Sequence, residues 1–558
     1  MIKIFLFFIL LSLFIANFVD AASFIRGDVN QDSGVDISDA SFILNWLFLG
    51  GQQPRCMDAA DVNDDGDVDI SDSKYLFGFL FTGENGPPPY PYPQKGLDIT
   101  FDKLGCRGEP DAIILNSCQT IDKPGNYVLA NNVTSEGTCF IIMANEVTLD
   151  CRNNYISINY SGIHAIGTNS TIIKNCFIEG EYIPAENPGP PIYADRFGIH
   201  FDSVNRGVIA KNTIKAHSYN GHGIHLANSA SIEIVNNNVT TAFYDDGSSI
   251  YSGIYLLNTS NSRILNNTIA AIGIELGYDN AHSIELDNSP INRIDSNVVR
   301  SSGGIRITMS DNVTISNNNV SNNISNSFSH PSICCEHSIS LANSHYSQII
   351  NNSVITFGKS ESSDGINLLH SSFAEIKNNV IETHDGGYGI SLFTDDFDFG
   401  TLQNLNVITY DWNSGVAHAL FIDGGNFIIR DSTFNASYQT IDVSLNGMIN
   451  LTNVSFAEAI GTFNRHWYLD VLVKNTSTNL QGVAIRVYDK NNRLLTSQPT
   501  DIYGRIPRQT ILSYSQTSEG GTSFTPHRIV VTKLGYKSQS RLVTLDQNRF
   551  ETFTLQKI

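Results

Sequence analysis

The chain has 558 residues, with 34 Lys and Arg against 55 Asp and Glu for a formal charge of −21, and its length excludes a single small domain. Hydrophobic residues at 41% provide for a sizeable core and exclude wholesale disorder. The negative balance argues against a nucleic-acid partner, whose phosphates need clustered Lys and Arg, and suits calcium or a neutral glycan better. Charge is also uneven: between Ala22 and Gly86 there are 12 acidic and three basic residues, a net of −9.

Residues 1–21 have the form of an export signal. Lys3 supplies the positive start, Ile4 to Val19 is a mostly apolar run, and Val19-Asp20-Ala21 offers small residues for cleavage. The run is shorter than the ~20 residues a spanning helix needs, although an uncleaved N-terminal anchor is the alternative. The mature chain is expected to be secreted or held at the cell surface, without a transmembrane span. Export permits disulfides among the eight cysteines, and the lack of any Cys-x-x-Cys disfavours zinc.

Residues 22–86 contain a segment that repeats at an offset of 33. Asp28, Asn30, Asp32, Asp36 and Asp39 fall at positions 1, 3, 5, 9 and 12 of one loop, and Asp61, Asn63, Asp65, Asp69 and Asp72 at the same positions of the next. Position 7, Gly34 and Asp67, can add a backbone carbonyl. Calcium takes 6–8 oxygens, and this spacing wraps such ligands around one point, so two calcium ions are expected. Apolar stretches after each loop, Ala40 to Leu49 and Ser73 to Phe81, are readable as short helices. Val35 and Val68, at position 8, can pair the loops back to back.

This module resembles a type I dockerin. The resemblance implies calcium-dependent folding and docking onto a cohesin domain, with positions 10 and 11 (Ile37-Ser38 and Ile70-Ser71) helping to recognise that partner. Loop one departs by placing Ser33 at the turn where loop two has Gly66, which predicts a looser first loop. Cys56 has no partner within the module. The proline-rich stretch Gly86 to Pro93 is expected to be a stiff linker over residues 87–97.

Residues 98–460 are expected to form the next domain, and from about Cys118 to Phe456 they repeat the phrase Gly-Ile-x-Leu, a polar turn, then x-Ile-x-Asn-Asn-x-Ile/Val. Its starts at 198, 223, 253, 283, 304, 338, 365, 389 and 419 are spaced by 21 to 34 residues. Strands this short cannot bury a face alone and must stack. The Asn-Asn pairs predict an internal amide ladder. The pattern resembles the right-handed parallel β-helix of the pectate-lyase-like and copper-site-maturation families, here with about twelve coils. The fold class is therefore mainly β, with a small α-helical calcium-loop domain before the β-helix. Aligning Val147 to Cys151 with Ile172 to Cys176 puts two cysteines on adjacent coils, as a disulfide or as two buried thiols.

The residue after each Gly-Ile points outward, predicting a column of His200, His225, Tyr255, Glu285, Arg306, Ser340, Asn367 and Ser391. A second column holds His222, His282, His337, Asp364, Tyr388 and His418. Glu285 and Arg306, with His282, His337 and Asp364 beside them, are the candidate catalytic residues for elimination or hydrolysis. The bland expectation is a surface ion pair among solvated neighbours. The fragments Gly221-His-Gly223 and Asp245-Asp-Gly247 echo polygalacturonases, but in reversed order, so no site carries over. His222 and His225 could ligate a soft metal, yet no copper is assigned.

Residues 465–558 alternate as a small antiparallel β-sandwich, resembling carboxypeptidase regulatory-like accessory domains. Two readings of the whole stand side by side. In one, the β-helix is a polysaccharide lyase or glycoside hydrolase tethered by its dockerin to a cohesin. In the other it is a non-catalytic glycan-binding or cell-surface structural protein.

Overall fold

The computed structural model describes residues 23–558 except 97, 99, 101, 103, 107–111, 159, 181–195, 218–220, 244–250, 274–280, 302, 324–336, 358–362, 385–386, 395–398, 411–417, 438 and 445–446. The export-signal expectation therefore lies outside the described residues. No described helix is long and apolar enough to cross a membrane.

The fold is mainly β. In the N-terminal domain each loop opens a helix, Ile37–Leu49 and Ile70–Phe77, and both begin earlier than the apolar stretches suggest. The reason is capping. Asp36 and Asp69 accept from the amides of Ser38 and Ser71, while Asp39 and Asp72 reach back to the cap amides, so each helix starts inside its own loop. Ser73 Oγ donates to the Ala40 carbonyl at 3.1 Å, tying the repeats together over a core of Val29, Ala40, Ile43, Val62 and Leu76. Val35 and Val68 pack against that core.

The proline-rich stretch corrects the spacer expectation. It folds back on the domain: Arg26 donates its amide to the Pro91 carbonyl at 2.7 Å, and Phe24 pairs with Gly96. Arg26, missed in the sequence, is fully buried. Its guanidinium bonds Asp98 at 2.7 Å, Asp64 at 2.8 Å and the carbonyls of Asp58, Asp61 and Tyr90. Cys56 finds its partner beyond the module, in a disulfide with Cys106.

The β-helix is three ladders of parallel strands wound around one core. Along one sheet Ile199, Ile224, Ile254, Ile284, Ile305, Ile339, Ile366 and Ile390 lie in register, all fully buried. The other sheets repeat this with Ile214, Val239, Ile269 and Val299, and with Ile209, Ile234, Ile264 and Ile294. β-Branched side chains suit this because their restricted χ1 stacks like on like. The glycine of the phrase has a steric cause: a Cβ on Gly223 would sit 2.6 Å from the Gly253 carbonyl oxygen on the next coil.

The Asn-Asn pair divides its labour. The first residue turns the chain with positive φ, as at Asn236 (55°) and Asn266 (53°), which Asn tolerates. The second is buried, and Asn212, Asn237, Asn267, Asn297, Asn318, Asn352 and Asn379 form the expected ladder. The Asn212 oxygen accepts the Cys176 N–H, and from Asn237 on each side-chain oxygen accepts the backbone N–H (2.8–2.9 Å) and the Nδ2 (3.0 Å) of the asparagine one coil before. Disulfides Cys118–Cys139 and Cys151–Cys176 link successive coils at the N-terminal end, the second as one of the two alternatives the alignment allowed.

Strand Phe463–Lys474 belongs to two units. Its first residues continue the β-helix ladder from Met448–Thr452, and its later ones pair with Arg549–Thr554. That last pairing is parallel, so the C-terminal unit is not wholly antiparallel as expected. Two sheets there share a core that includes Leu469, Val471, Ile485, Ile529 and Phe553.

Replacing Asn297 with Ala leaves the backbone N–H of Asn267 buried without its acceptor, while Asn267 Nδ2 keeps the carbonyls of Ile234 and Leu265. We expect the β-helix transition of the calcium-loaded chain to lose about 1–3 kcal/mol in urea melts, the cost of one stranded buried donor.

Candidate functional site

The calcium loops present an all-oxygen donor set, the chemistry of a hard cation. In loop one Asp28 Oδ2 accepts the Ser33 amide at 3.0 Å, while its Oδ1 is buried without a partner, an acceptor facing no donor. In loop two Asp61 accepts the Gly66 amide in the same way. Ser33 takes a left-handed φ of 74° where Gly66 has 89°, so the serine does not loosen its loop but adopts the turn a glycine would. Asp28, Asn30, Asp32, Asp36 and Asp39 would hold one ion with the Gly34 carbonyl, and Asp61, Asn63, Asp65, Asp69 and Asp72 another with that of Asp67.

Burial raises the carboxyls of Asp28 and Asp39, and pushes Asp61 up to about 7 and Asp72 up to about 6. Asp36 and Asp69 are instead lowered by the hydrogen bonds from Ser38 and Ser71. Without calcium, folded Asp61 and Asp72 hold protons that the unfolded chain (3.8) has released. Stability from that source is present at low pH and lost as pH rises toward about 7. The chelated domain should therefore melt higher at about pH 5 than at about pH 8, and calcium, competing for the same oxygens, should reverse the trend in calorimetry.

The outward column exists in register. His164, His200, His225, Tyr255, Glu285, Arg306, Ser340, Asn367 and Ser391 follow one another on adjacent strands. Its rings stack: His164 on His200 at 4.3 Å, His200 on His225 at 4.7 Å, His225 on Tyr255 at 5.2 Å. Phe197 packs against His200 and His225 at 4.5 and 4.8 Å.

The expectation of solvated neighbours is corrected. His225 is 9% exposed, Glu285 3% and Asp364 1%, so the column and its neighbours are largely shielded from water. The expected Glu285–Arg306 ion pair is corrected too. Glu285 Oε2 accepts from Ser252 Oγ at 2.7 Å, and Arg306 Nη1 lies 3.3 Å from His282 Nε2. His282 Nδ1 is 2.8 Å from the Gly303 carbonyl, which can only accept, so the ring proton is on Nδ1 and Nε2 takes the Arg306 N–H. Further along, His337 Nδ1 lies 3.2 Å from Asp364 Oδ2. Asp364 also accepts from Ser391 Oγ and from the Tyr388 amide. The five candidate residues thus fall into Glu285 with Ser252, Arg306 with His282, and His337 with Asp364.

Sequence reasoning missed His164, Phe197 and Ser252. Two left traces: Gly162-Ile163-His164 is the repeat phrase one coil early, and Ser252 precedes Gly253 as His222 precedes Gly223. The stretches 181–195, 244–250, 324–336 and 395–398, the second of which holds the Asp245–Gly247 fragment, lie outside the described residues.

Three family profiles match: the dockerin type I domain over residues 26–80, the right handed beta helix region over 111–269, and the periplasmic copper-binding protein (NosD) over 244–398. Residues 26–80 are a type I dockerin domain, and a right-handed β-helix follows it. Solved structures similar to it include the periplasmic alginate epimerase AlgG, at 14% identity over 60% of this chain and 78% of that one, with a TM-score of 0.35. The Azotobacter vinelandii mannuronan C-5 epimerase AlgE6 A-module is 12% identical over 57% of this chain and 80% of its own, TM-score 0.27. DFA-IIIase from Arthrobacter chlorophenolicus A6, without its lid, is 10% identical over 56% and 88%, TM-score 0.29. No curated protein matches the sequence.

Burial pushes His200, His222 and His225 down to about 3, helped by neighbouring imidazoles, so these rings of the dockerin β-helix are neutral. The unfolded chain (6.5) binds protons they refuse, so stability is present above about pH 6.5 and lost as pH falls toward about 3. Replacing His200 and His225 with Phe should keep the stack and flatten that acid loss, measured by thermal melts of the calcium-loaded protein between about pH 7 and pH 4.

Proposed function

We propose that this is an extracellular carbohydrate-active protein. Its dockerin, loaded with two calcium ions, docks on a cohesin, and its β-helix binds and processes a polysaccharide along the His200–Arg306 column. The observation that carries this reading is the column itself: stacked rings run directly into a carboxylate and a guanidinium on adjacent coils. His200 and Tyr255 are only partly buried, and the ring surface they leave at the edge of the stack is what a sugar would meet. Glu285, aligned by Ser252, serves as the proton-transfer group. Arg306, oriented by His282, neutralises charge developing on the substrate. The His337–Asp364 pair is a second proton-transfer unit two coils on. This supports a lyase or hydrolase. In the dockerin, Ile37 and Ile70 are 51% and 58% exposed, which suits them to a protein partner.

A second reading rests on the partners these groups already have. Glu285 with Ser252 and Arg306 with His282 are satisfied internally, as in a non-catalytic glycan-binding face.

The test is a glycan array with the calcium-loaded protein, followed by assay of bound glycans for unsaturated or reducing-end products. Turnover that falls about 100-fold or more in Glu285→Gln and Arg306→Ala supports the first reading. Binding without turnover supports the second, and turnover that survives both changes removes these residues from the chemistry.

A further inference from the structure

A second face of the β-helix forms a groove against the folded-back proline-rich segment. It encloses about 380 Å³, with Tyr90, Tyr92 and Lys95 on one wall and Arg206, Arg263 and Arg293 on the other. Among the described residues, Glu233 is the one carboxylate that lines it. A chain with a formal charge of −21 thus gathers four of its cations around one cleft.

The register explains the spacing. Glu233, Arg263 and Arg293 lie opposite one another on three successive strands, so the charges repeat at the interstrand distance of ~4.8 Å. Glu233 Oε1 is 3.5 Å from Arg263, and Arg293 is 3.1 Å from Asp295, which does not line the groove. Arg206 is exposed and has no carboxylate partner among the described residues, and the same holds for Lys95. Positive charge is left over in a cleft partly walled by low-dielectric protein, which focuses its field on an incoming anion.

We propose that this groove binds an anionic saccharide, a chain of sugars bearing carboxylate or sulfate groups. Guanidinium forks pair with either group, and the two tyrosines offer faces for the sugar rings. Cations spread over several coils beside aromatic rings suit a polymer bearing several anions better than a single small anion. The groove lies on a different sheet from the His200–Arg306 column, so this proposal stands whether or not that column is catalytic.

The test is calorimetric titration of the full-length, calcium-loaded protein with trigalacturonate, with a sulfated carrageenan disaccharide, and with neutral cellotriose. Arg206→Glu/Arg293→Glu is the variant of choice, because both residues are exposed and Arg263, which neutralises Glu233, is left in place. At least one anionic sugar should bind and cellotriose should not. Affinity should fall about tenfold or more in the variant and weaken with added salt. Trigalacturonate alone binding marks a carboxylated glycan, and the carrageenan sugar alone a sulfated one. His225→Ala and Glu285→Gln should leave this binding unchanged, which separates failure here from failure at the column. The proposal is overturned by equal binding of cellotriose, by no binding of either anion, by a variant within twofold of the parent, or by loss of binding only in the column variants.

Discussion

The whole β-helix depends on stacking coils at one strand spacing. Parallel strands in register place the same position of each coil above the last, so each choice of residue is repeated as a column. Isoleucines then fill the interior, buried asparagines pair amide to amide, and outward histidines stack face to face. Residues far apart in sequence, such as Glu285 and Arg306, become neighbours only through this constraint. A one-residue slip in any coil would break all of these columns at once.

Desolvation acts on the two domains with opposite sign. In the dockerin it raises carboxyls that have too few donors, leaving a need that calcium meets. In the β-helix it lowers imidazoles, leaving neutral rings that pack closely. Calcium and neutral pH therefore favour the same folded chain for different reasons. Arg26 ties the dockerin to the chain on its C-terminal side: one buried guanidinium answers Asp64 in loop two and Asp98 beyond the proline-rich segment.

Much of this was legible in the sequence, because repetition exposes it. The calcium loops appear as two copies of one ligand spacing, and the β-helix as a phrase whose Asn-Asn step names its own ladder. The column order was readable because each member follows a Gly-Ile or its equivalent. What stayed hidden depends on contacts made once. Arg26 is a single arginine without a motif, and its burial comes from a chain reversal at Tyr90 and Pro91 that proline content alone suggests should not happen. The exposure of the column was misjudged for a similar reason: alternation says which side a residue faces, but not that His164, His200 and His225 shield one another. The hydrogen bond of Ser252 to Glu285 spans a whole coil, and no local spacing predicts it.

The central claim is that the ring column ending in Glu285 and Arg306 is the face that meets a glycan. The most direct measurement is a crystal structure of the calcium-loaded protein soaked with an oligosaccharide that binds in solution. The account predicts sugar density against the His200, His225 and Tyr255 rings, with a glycosidic bond or ring carbon beside Glu285. Sugar density found only away from this column would contradict it.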